Sequence, residues 1–161
     1  MKISGKDRVV YLKNNSIVEY DILSINIGIE SNKNNIEGAE QFAYALKPIS
    51  EIDNIISSIT LSKQNKVAII GAGAAGVEVA LALNEKFQKL GITKKIILIA
   101  NSNTIMKSYP VAVAKKLEKK IFKKNITILF KSTVTKVLKS SIIINNIKKI
   151  KDCCSVLATN G

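Results

Sequence analysis

The chain of 161 residues is long enough for one domain and part of a second, and its 47% hydrophobic content is too high for a disordered protein. The net charge of +13 is unevenly distributed, because residues 1–62 hold 6 basic and 8 acidic residues whereas residues 63–161 hold 19 and 4. The absence of histidine excludes histidine-based acid–base chemistry and histidine metal ligands within these residues, and we expect no metal site.

The targeting features of the sequence are few. No stretch has 18 consecutive apolar residues, so we expect no membrane span. Residues 1–6 lack the apolar region of a secretory signal. We therefore expect a cytoplasmic protein.

The N-terminal part predicts a hairpin and a strand. Residues 8–13 and 16–20 flank Asn14-Asn15, a pair that favours a tight turn. Apolar residues then predict a strand over 21–27 that ends at Gly28.

A loop and a helix follow. Residues 31–40 are rich in Asn and Glu and predict a surface loop. A helix is predicted from Pro48 to about Ile59, since proline is tolerated in a first turn. Its apolar side holds four isoleucines: Ile52, Ile55, Ile56 and Ile59.

Residues 66–90 combine an apolar strand, a glycine-rich turn and an amphipathic helix. The turn reads Gly71-Ala72-Gly73-Ala74-Ala75-Gly76 and follows the apolar run 67–70. This order is typical of the phosphate-binding corner of a dinucleotide-binding fold. The predicted helix presents one apolar face: Gly76, Ala80, Leu83, Phe87 and Leu90.

Each glycine has a separate role in such a corner. Gly71 allows the sharp turn, Gly73 lets the backbone approach a pyrophosphate, and Gly76 lets the helix pack against the strand. The helix N-terminus then directs unpaired N–H groups and its positive dipole end at the phosphates. The alternative is a tight turn that binds nothing.

The remaining elements alternate between strand and helix. Apolar runs at 96–99 and 126–129 flank a loop over 101–109 and a helix over 110–124, and a hairpin over 133–145 precedes the last strand. The pattern predicts an α/β fold, a Rossmann-like doubly wound parallel sheet over 66–130 with an antiparallel insertion. The predicted apolar stripe of the second helix is Val113, Ala114, Leu117 and Ile121.

The other face of the 110–124 helix is rich in lysine, which favours either an anion site or a solvated surface. The chain has one arginine, Arg8, and only 5% aromatic residues, so we expect no nucleic-acid partner. Cys153 and Cys154 are adjacent and lack zinc-ligand spacing, so we interpret them as buried apolar side chains rather than a redox pair.

Three motifs carry a resemblance to a known family. They are Gly71–Glu78, with the glutamate two residues after the third glycine, Tyr20–Gly28, and Ala158-Thr159-Asn160-Gly161. With the order of elements between them, the chain resembles the pyridine nucleotide–disulfide oxidoreductase superfamily, in particular its type II NADH dehydrogenase-like branch.

The resemblance implies a division into two domains. Residues 1–47 are similar to the C-terminal tail of a truncated FAD-binding domain, and residues 48–161 to the NAD(P)-binding Rossmann domain. Family members carry further FAD-binding segments, which we expect on the same or another chain. We therefore expect this chain alone to be catalytically incompetent, and it offers no catalytic residue.

The resemblance also implies how the cofactors are used. NAD or NADP would bind with its pyrophosphate over Gly71, Gly73, Ala74, Ala75 and Gly76. The nicotinamide would lie near Glu78 and pass hydride to FAD, and Gly161 would approach the dinucleotide from the neighbouring strand. Alternatively, Glu78 only complements the dipole of its helix.

One departure leaves the choice of dinucleotide open. NAD-specific sites commonly place an acidic residue after the second strand. Here the residues are Ala100, Asn101, Ser102 and Asn103. Asn101 can hydrogen-bond a ribose without charge, and Lys107 can meet a 2′-phosphate.

Two other interpretations stay open. One is a basic anion- or nucleic-acid-binding module that uses the lysine-rich helix. The other is a degenerate, non-catalytic remnant of the family, which the missing ribose-binding acid favours.

Overall fold

The computed structural model describes residues 2–25, 36–46 and 49–159. Its N-terminal strands, β1 (Lys2–Ser4), β2 (Val9–Tyr11) and β3 (Ile17–Glu19), form an antiparallel sheet. The predicted hairpin is confirmed as β2–β3, whereas β1 was not predicted. Asn15 adopts φ 64°, the left-handed conformation that asparagine tolerates in tight turns.

The strand predicted over residues 21–27 is wrong where the structure describes it. Residues 21–25 form a bend and irregular backbone, and Ile22 is 92% exposed. Residues 21–25 pair with no strand in the part of the chain that the structure describes, and a strand without a partner is not stabilised. Residues 26–30, with Gly28, lie outside the described residues.

The loop predicted over residues 31–40 is wrong at its end, and residues 31–35 lie outside the described residues. The short helix α1 (Ala39–Phe42) follows Gly38, whose φ is 74°, and buries Ala39 completely. The N–H of Glu37 donates to the carbonyl of Thr135, and the N–H of Val137 donates to the carbonyl of Glu37. These two hydrogen bonds attach Glu37 to residues 135–137, which lie far along the chain.

The predicted helix near residue 50 is confirmed with a later start. A 3₁₀ turn at Ile49–Glu51 leads into α2 (Ile52–Leu61), which buries Ile55 and Ile59. Lys47 and Pro48 lie outside the described residues.

The predicted parallel sheet is confirmed among the described residues. Its strands are β4 (Ala43–Ala45), β5 (Lys66–Ile70), β6 (Lys95–Ile99), β7 (Thr127–Leu129) and β11 (Cys153–Leu157). They lie in the order β4-β11-β5-β6-β7. Strand β4 was not predicted. It lies before the expected domain boundary at residue 48, yet it pairs with β11 in this sheet.

Different elements cover the two faces of the parallel sheet. Helices α2, α3 (Ala74–Lys89) and α4 (Val111–Lys123) share one hydrophobic core on the first face. The second face packs against α1 and an antiparallel meander. The meander confirms the predicted insertion and comprises β8 (Val134–Leu138), β9 (Ser141–Ile144) and β10 (Lys148–Lys151).

Two predicted helix faces need correction. Leu90 is 55% exposed because α3 ends at Lys89, whereas the other four residues of its predicted face are buried. Val113 is 40% exposed at the first turn of α4, while Ala114 and Ile121 are buried. Among the described residues, no helix combines the length and the apolar character needed to cross a bilayer.

Candidate functional site

The candidate site lies at the carboxyl ends of the parallel strands. Strands β6 and β7 are added on one side of β5, whereas β11 returns from the meander to the other side. The order of strands therefore reverses beside β5, which is where open α/β sheets bind ligands. The N–H of Ala158 donates to the carbonyl of Ile70 at 2.9 Å, so β5 and β11 end side by side.

Gly71 makes the turn out of β5. Its φ is 108°, and its N–H donates to the carbonyl of Ile99 at 3.0 Å. A Cβ at this position would lie 2.9 Å from the carbonyl oxygen of Ala158. Both the backbone conformation and the neighbouring strand therefore require glycine here.

Gly76 brings α3 close to the strand that precedes it. A Cβ at Gly76 would overlap the carbonyl oxygen of Gly71 and lie 3.5 Å from the Cβ of Ala158. The close helix–strand packing predicted for this glycine is confirmed.

Gly73 differs from the other two glycines because it borders open space. A Cβ built there would meet nothing within 4 Å, and the φ of −76° is accessible to any residue. Gly73 precedes α3, whose first intrahelical bond runs from the N–H of Val77 to the carbonyl of Gly73 at 3.1 Å. No described side chain caps this helix N-terminus, so its first N–H groups can face a ligand.

Two cavities lie on either side of the glycine turn and share Ala72, Gly73 and Asn101. The first has a volume of about 330 Å³ and is bounded by the loop after β6. The second, of about 410 Å³, has an apolar lining with three hydroxyl groups, from Ser132, Thr133 and Thr159. Together they form a cleft with the helix N-terminus at its middle.

The loop after β6 is fixed against the glycine turn. The N–H of Met106 donates to the carbonyl of Ala72 at 2.8 Å, and Ile105 is fully buried. From α4, the Glu118 carboxylate accepts from the hydroxyl of Thr104 at 3.3 Å and from the N–H of Ile105 at 3.4 Å. These contacts hold Lys107 at the edge of the first cavity.

The structure brings most of the predicted site residues together. Gly71, Gly73 and Asn101 line the cleft, Ala74 lines the first cavity, and Ala75 and Gly76 form the first turn of α3. Glu78 is exposed one turn into α3 and does not line the described part of either cavity. A carboxylate interacts most strongly with the helix dipole from within the first turn. Glu78 lies after the first turn of α3. Gly161 lies outside the described residues.

Sequence reasoning missed several polar residues of the cleft, including Ser102, Thr133 and Thr159 as side chains that line it. Thr133 follows β7, and no local motif marks it. The position of the β7 carboxyl end, beside those of β5 and β6, is the signal that would have found it.

The two cysteines lie outside the cleft. Both are free thiols buried in β11, which confirms their interpretation as small core side chains. Burial raises the pKa of the Cys153 thiol to about 11, and burial likewise raises the pKa of Cys154. Neither thiol is an activated nucleophile.

Comparisons with known proteins agree with this architecture. The chain is 32% identical over 121 residues to the NADH dehydrogenase-like protein YutJ of Bacillus subtilis. The aligned region covers 74% of this chain and 33% of that protein. It is also similar to NDH2 of Plasmodium falciparum in complex with NADH (TM-score 0.68, 24% identity, 91% of this chain and 36% of that one).

A third similarity is to an FAD-dependent pyridine nucleotide-disulphide oxidoreductase of Desulfovibrio vulgaris. The TM-score is 0.68 at 17% identity, over 99% of this chain and 42% of that one. At these identities the two structures establish the fold alone. The chain spans about a third of the length of the curated relative YutJ.

The family assignment comes from the sequence over its whole length. The sequence model of the pyridine nucleotide-disulphide oxidoreductase family matches residues 1–161. The glycine turn, the parallel sheet and the inserted meander all fall within this match. The chain therefore belongs to the pyridine nucleotide-disulphide oxidoreductase family.

Proposed function

We propose that this chain is the NAD(P)H-binding part of an FAD-dependent oxidoreductase, with the dinucleotide in the cleft over Gly73. The observation that supports this best is the open space at Gly73 beside an uncapped helix N-terminus. A glycine that needs neither a positive φ nor close packing in the free protein is explained by a ligand that approaches its backbone.

The residues of the cleft suit the parts of a dinucleotide. The N–H groups of Ala74, Ala75 and Gly76 would hold the pyrophosphate, because a helix N-terminus combines N–H donors with a positive dipole end. The amide of Asn101 would hydrogen-bond a ribose. The two cavities would take the groups on either side of the pyrophosphate.

Two further roles follow from the family resemblance. Glu78 would lie near the nicotinamide, and Gly161 would approach the dinucleotide from the end of β11, two residues after Thr159 of the second cavity. A bound reduced nicotinamide supplies hydride chemistry, and the flavin is its acceptor. The described residues bind and orient the dinucleotide.

The division of the chain is part of the same proposal. Residues 1–47 would be the tail of an FAD-binding domain and residues 48–161 the NAD(P)-binding domain. The pairing of β4 with β11 extends the parallel sheet to residues before this boundary. The chain purified by itself should bind dinucleotide without turnover, because the remaining flavin-binding segments would complete the enzyme.

Calorimetric titration with NADH and NADPH tests the proposal, with Gly73→Val as the site variant. The new side chain meets no protein atom within 4 Å of its Cβ, so the variant should fold normally and lose at least about tenfold in affinity. Gly5→Val is the matched control, since a Cβ there also meets nothing and Gly5 does not line the described part of either cavity. Failure of the folded wild-type chain to bind either nucleotide would reject the proposal.

A further inference from the structure

We propose that the first cavity accepts the 2′-phosphate of NADP(H), and that Lys107 is the residue that determines this specificity. The inference rests on the proposed function, because it concerns which of the two dinucleotides the same cleft prefers. It is carried by the position of Lys107 in the cavity next to Gly73 and by the absence of a carboxylate from the described lining of that cavity.

The first step concerns the end of β6. In dinucleotide-binding sheets an acidic residue there selects an unphosphorylated ribose, and a nearby cation accommodates a 2′-phosphate. Here β6 ends at Ile99 and is followed by the buried Ala100 and the exposed Asn101. Both residues line the first cavity and both are uncharged. A 2′-phosphate would therefore meet no like charge from this strand end.

The second step concerns how Lys107 is held. Its neighbour Met106 is 8% exposed, adopts φ 52° and donates its N–H to the carbonyl of Ala72 in the glycine turn. Lys107 is thus attached to a fixed part of the loop, although its own side chain is exposed. Within the described residues it forms no ion pair, so its ammonium group is available to an anion.

The third step concerns the charges around Lys107. Glu118 is the acidic group packed against this loop, and its carboxylate accepts from Thr104 and Ile105 on the α4 side. Glu118 does not line the described part of the cavity. The other polar side chains of the described lining are hydroxyls and an amide, including those of Asn101, Ser102 and Tyr109. The cavity is therefore polar with a single positive charge.

The test compares NADPH with NADH by calorimetric titration of the whole chain at low and moderate salt. The wild type should bind NADPH more tightly, and the preference should shrink as salt screens the charge. Lys107→Gln should weaken NADPH binding about tenfold and NADH binding less than about twofold, because charge-assisted hydrogen bonds to phosphate are strong. Asn101→Asp, which adds a charge with no change of shape, should also weaken NADPH selectively.

Lys115→Gln is the matched control, because it removes the same charge from the exposed face of α4 and should leave both affinities unchanged. Tighter binding of NADH than of NADPH by the wild type would overturn the inference and leave the proposed function intact. Equal weakening of both nucleotides by Lys107→Gln would also overturn it, since it would place the lysine on the shared pyrophosphate. Binding of neither nucleotide would reject the inference together with the proposed function.

Discussion

The three glycines of the turn differ in what a methyl group would meet at each position. At Gly76 it would overlap a backbone oxygen, and at Gly73 it would enter open space. The two positions therefore differ in why they hold glycine. Gly76 is required by the packing of α3, whereas neither the backbone conformation nor a described neighbour requires glycine at position 73.

Gly76→Ala should destabilise the protein, since α3 would have to move away from Gly71. We expect a loss of about 1–3 kcal/mol in the free energy of unfolding, after the helix propensity gained from alanine. Urea unfolding measures this loss. Gly73→Ala is the control and should cost less than about 1 kcal/mol, which reflects only the poorer capping of α3 by alanine. Equal losses in the two variants would contradict the assigned roles.

Ser155 is a polar residue in the centre of the parallel sheet. It is 1% exposed, and its hydroxyl has no hydrogen-bond partner among the described residues. Ser155→Ala should keep or raise the free energy of unfolding, by up to about 1 kcal/mol, because an unpaired buried hydroxyl is costly. Thermal unfolding measures the change. A loss above about 1 kcal/mol would show that the hydroxyl has a partner.

One ammonium group forms several hydrogen bonds to the connection between α2 and the parallel sheet. Lys94, which precedes β6, donates to the carbonyl and the hydroxyl of Ser62, the residue that ends α2, and to the carbonyl of Gln64 at 2.8 Å. The half-buried Lys94 thus joins two elements that sequence analysis treats as separate.

Lys94→Met should reduce the free energy of unfolding by about 1–3 kcal/mol, because it leaves these acceptors without their charged donor. Chemical denaturation measures the loss. Lys95→Met is the matched control, since Lys95 is the exposed neighbour at the start of β6, and it should change stability by less than about 0.5 kcal/mol. A similar loss in both variants would assign the effect to net charge.

The lysine-rich face of α4 is exposed in this structure. Five of its lysines are exposed, and Lys124 pairs with Glu85 at 3.3 Å on the surface. The exposed lysines are Lys115, Lys116, Lys119, Lys120 and Lys123. None of them lines the described part of the cleft, whose charged residue is Lys107.

The molecule as a whole is built on a parallel sheet buried on both faces, and β11 shows this most clearly. Cys153 packs into the core beneath the meander, and its neighbour Cys154 packs into the core beneath the helices. Because both faces of β11 are buried, the pKa of each thiol is raised, and both thiols are protonated at neutral pH.

The pKa of about 11 for Cys153 predicts a loss of stability in alkali. Between pH 9 and 11 the unfolded chain releases this proton while the folded chain keeps it, so the free energy of unfolding falls as the pH rises. Over this interval we expect the free energy of unfolding of the wild type to fall by on the order of 1–2 kcal/mol more than that of Cys153→Ala. Denaturation at a series of pH values measures it, and parallel profiles for the two proteins would contradict the prediction.

Local sequence pattern was sufficient for the central part of the fold. The apolar runs at β5, β6 and β7 and the periodicity of α3 and α4 predict their own elements, because buried strands and amphipathic helices carry periods that can be read locally. The glycine turn could also be predicted from local sequence, because the positive φ of Gly71 and the close helix–strand approach at Gly76 each require a residue without a side chain.

Tertiary structure alone decided the remaining features. Strand β4 is a strand because β11, far along the chain, supplies its hydrogen bonds, whereas residues 21–25 have no such partner among the residues that the structure describes. The same holds for the cleft. Thr133 and Thr159 line its second cavity because their strands end at one edge, and Lys107 lines its first because the N–H of Met106 donates to the carbonyl of Ala72. Contacts between distant segments leave no period in the sequence, so only the assembled sheet brings these residues together.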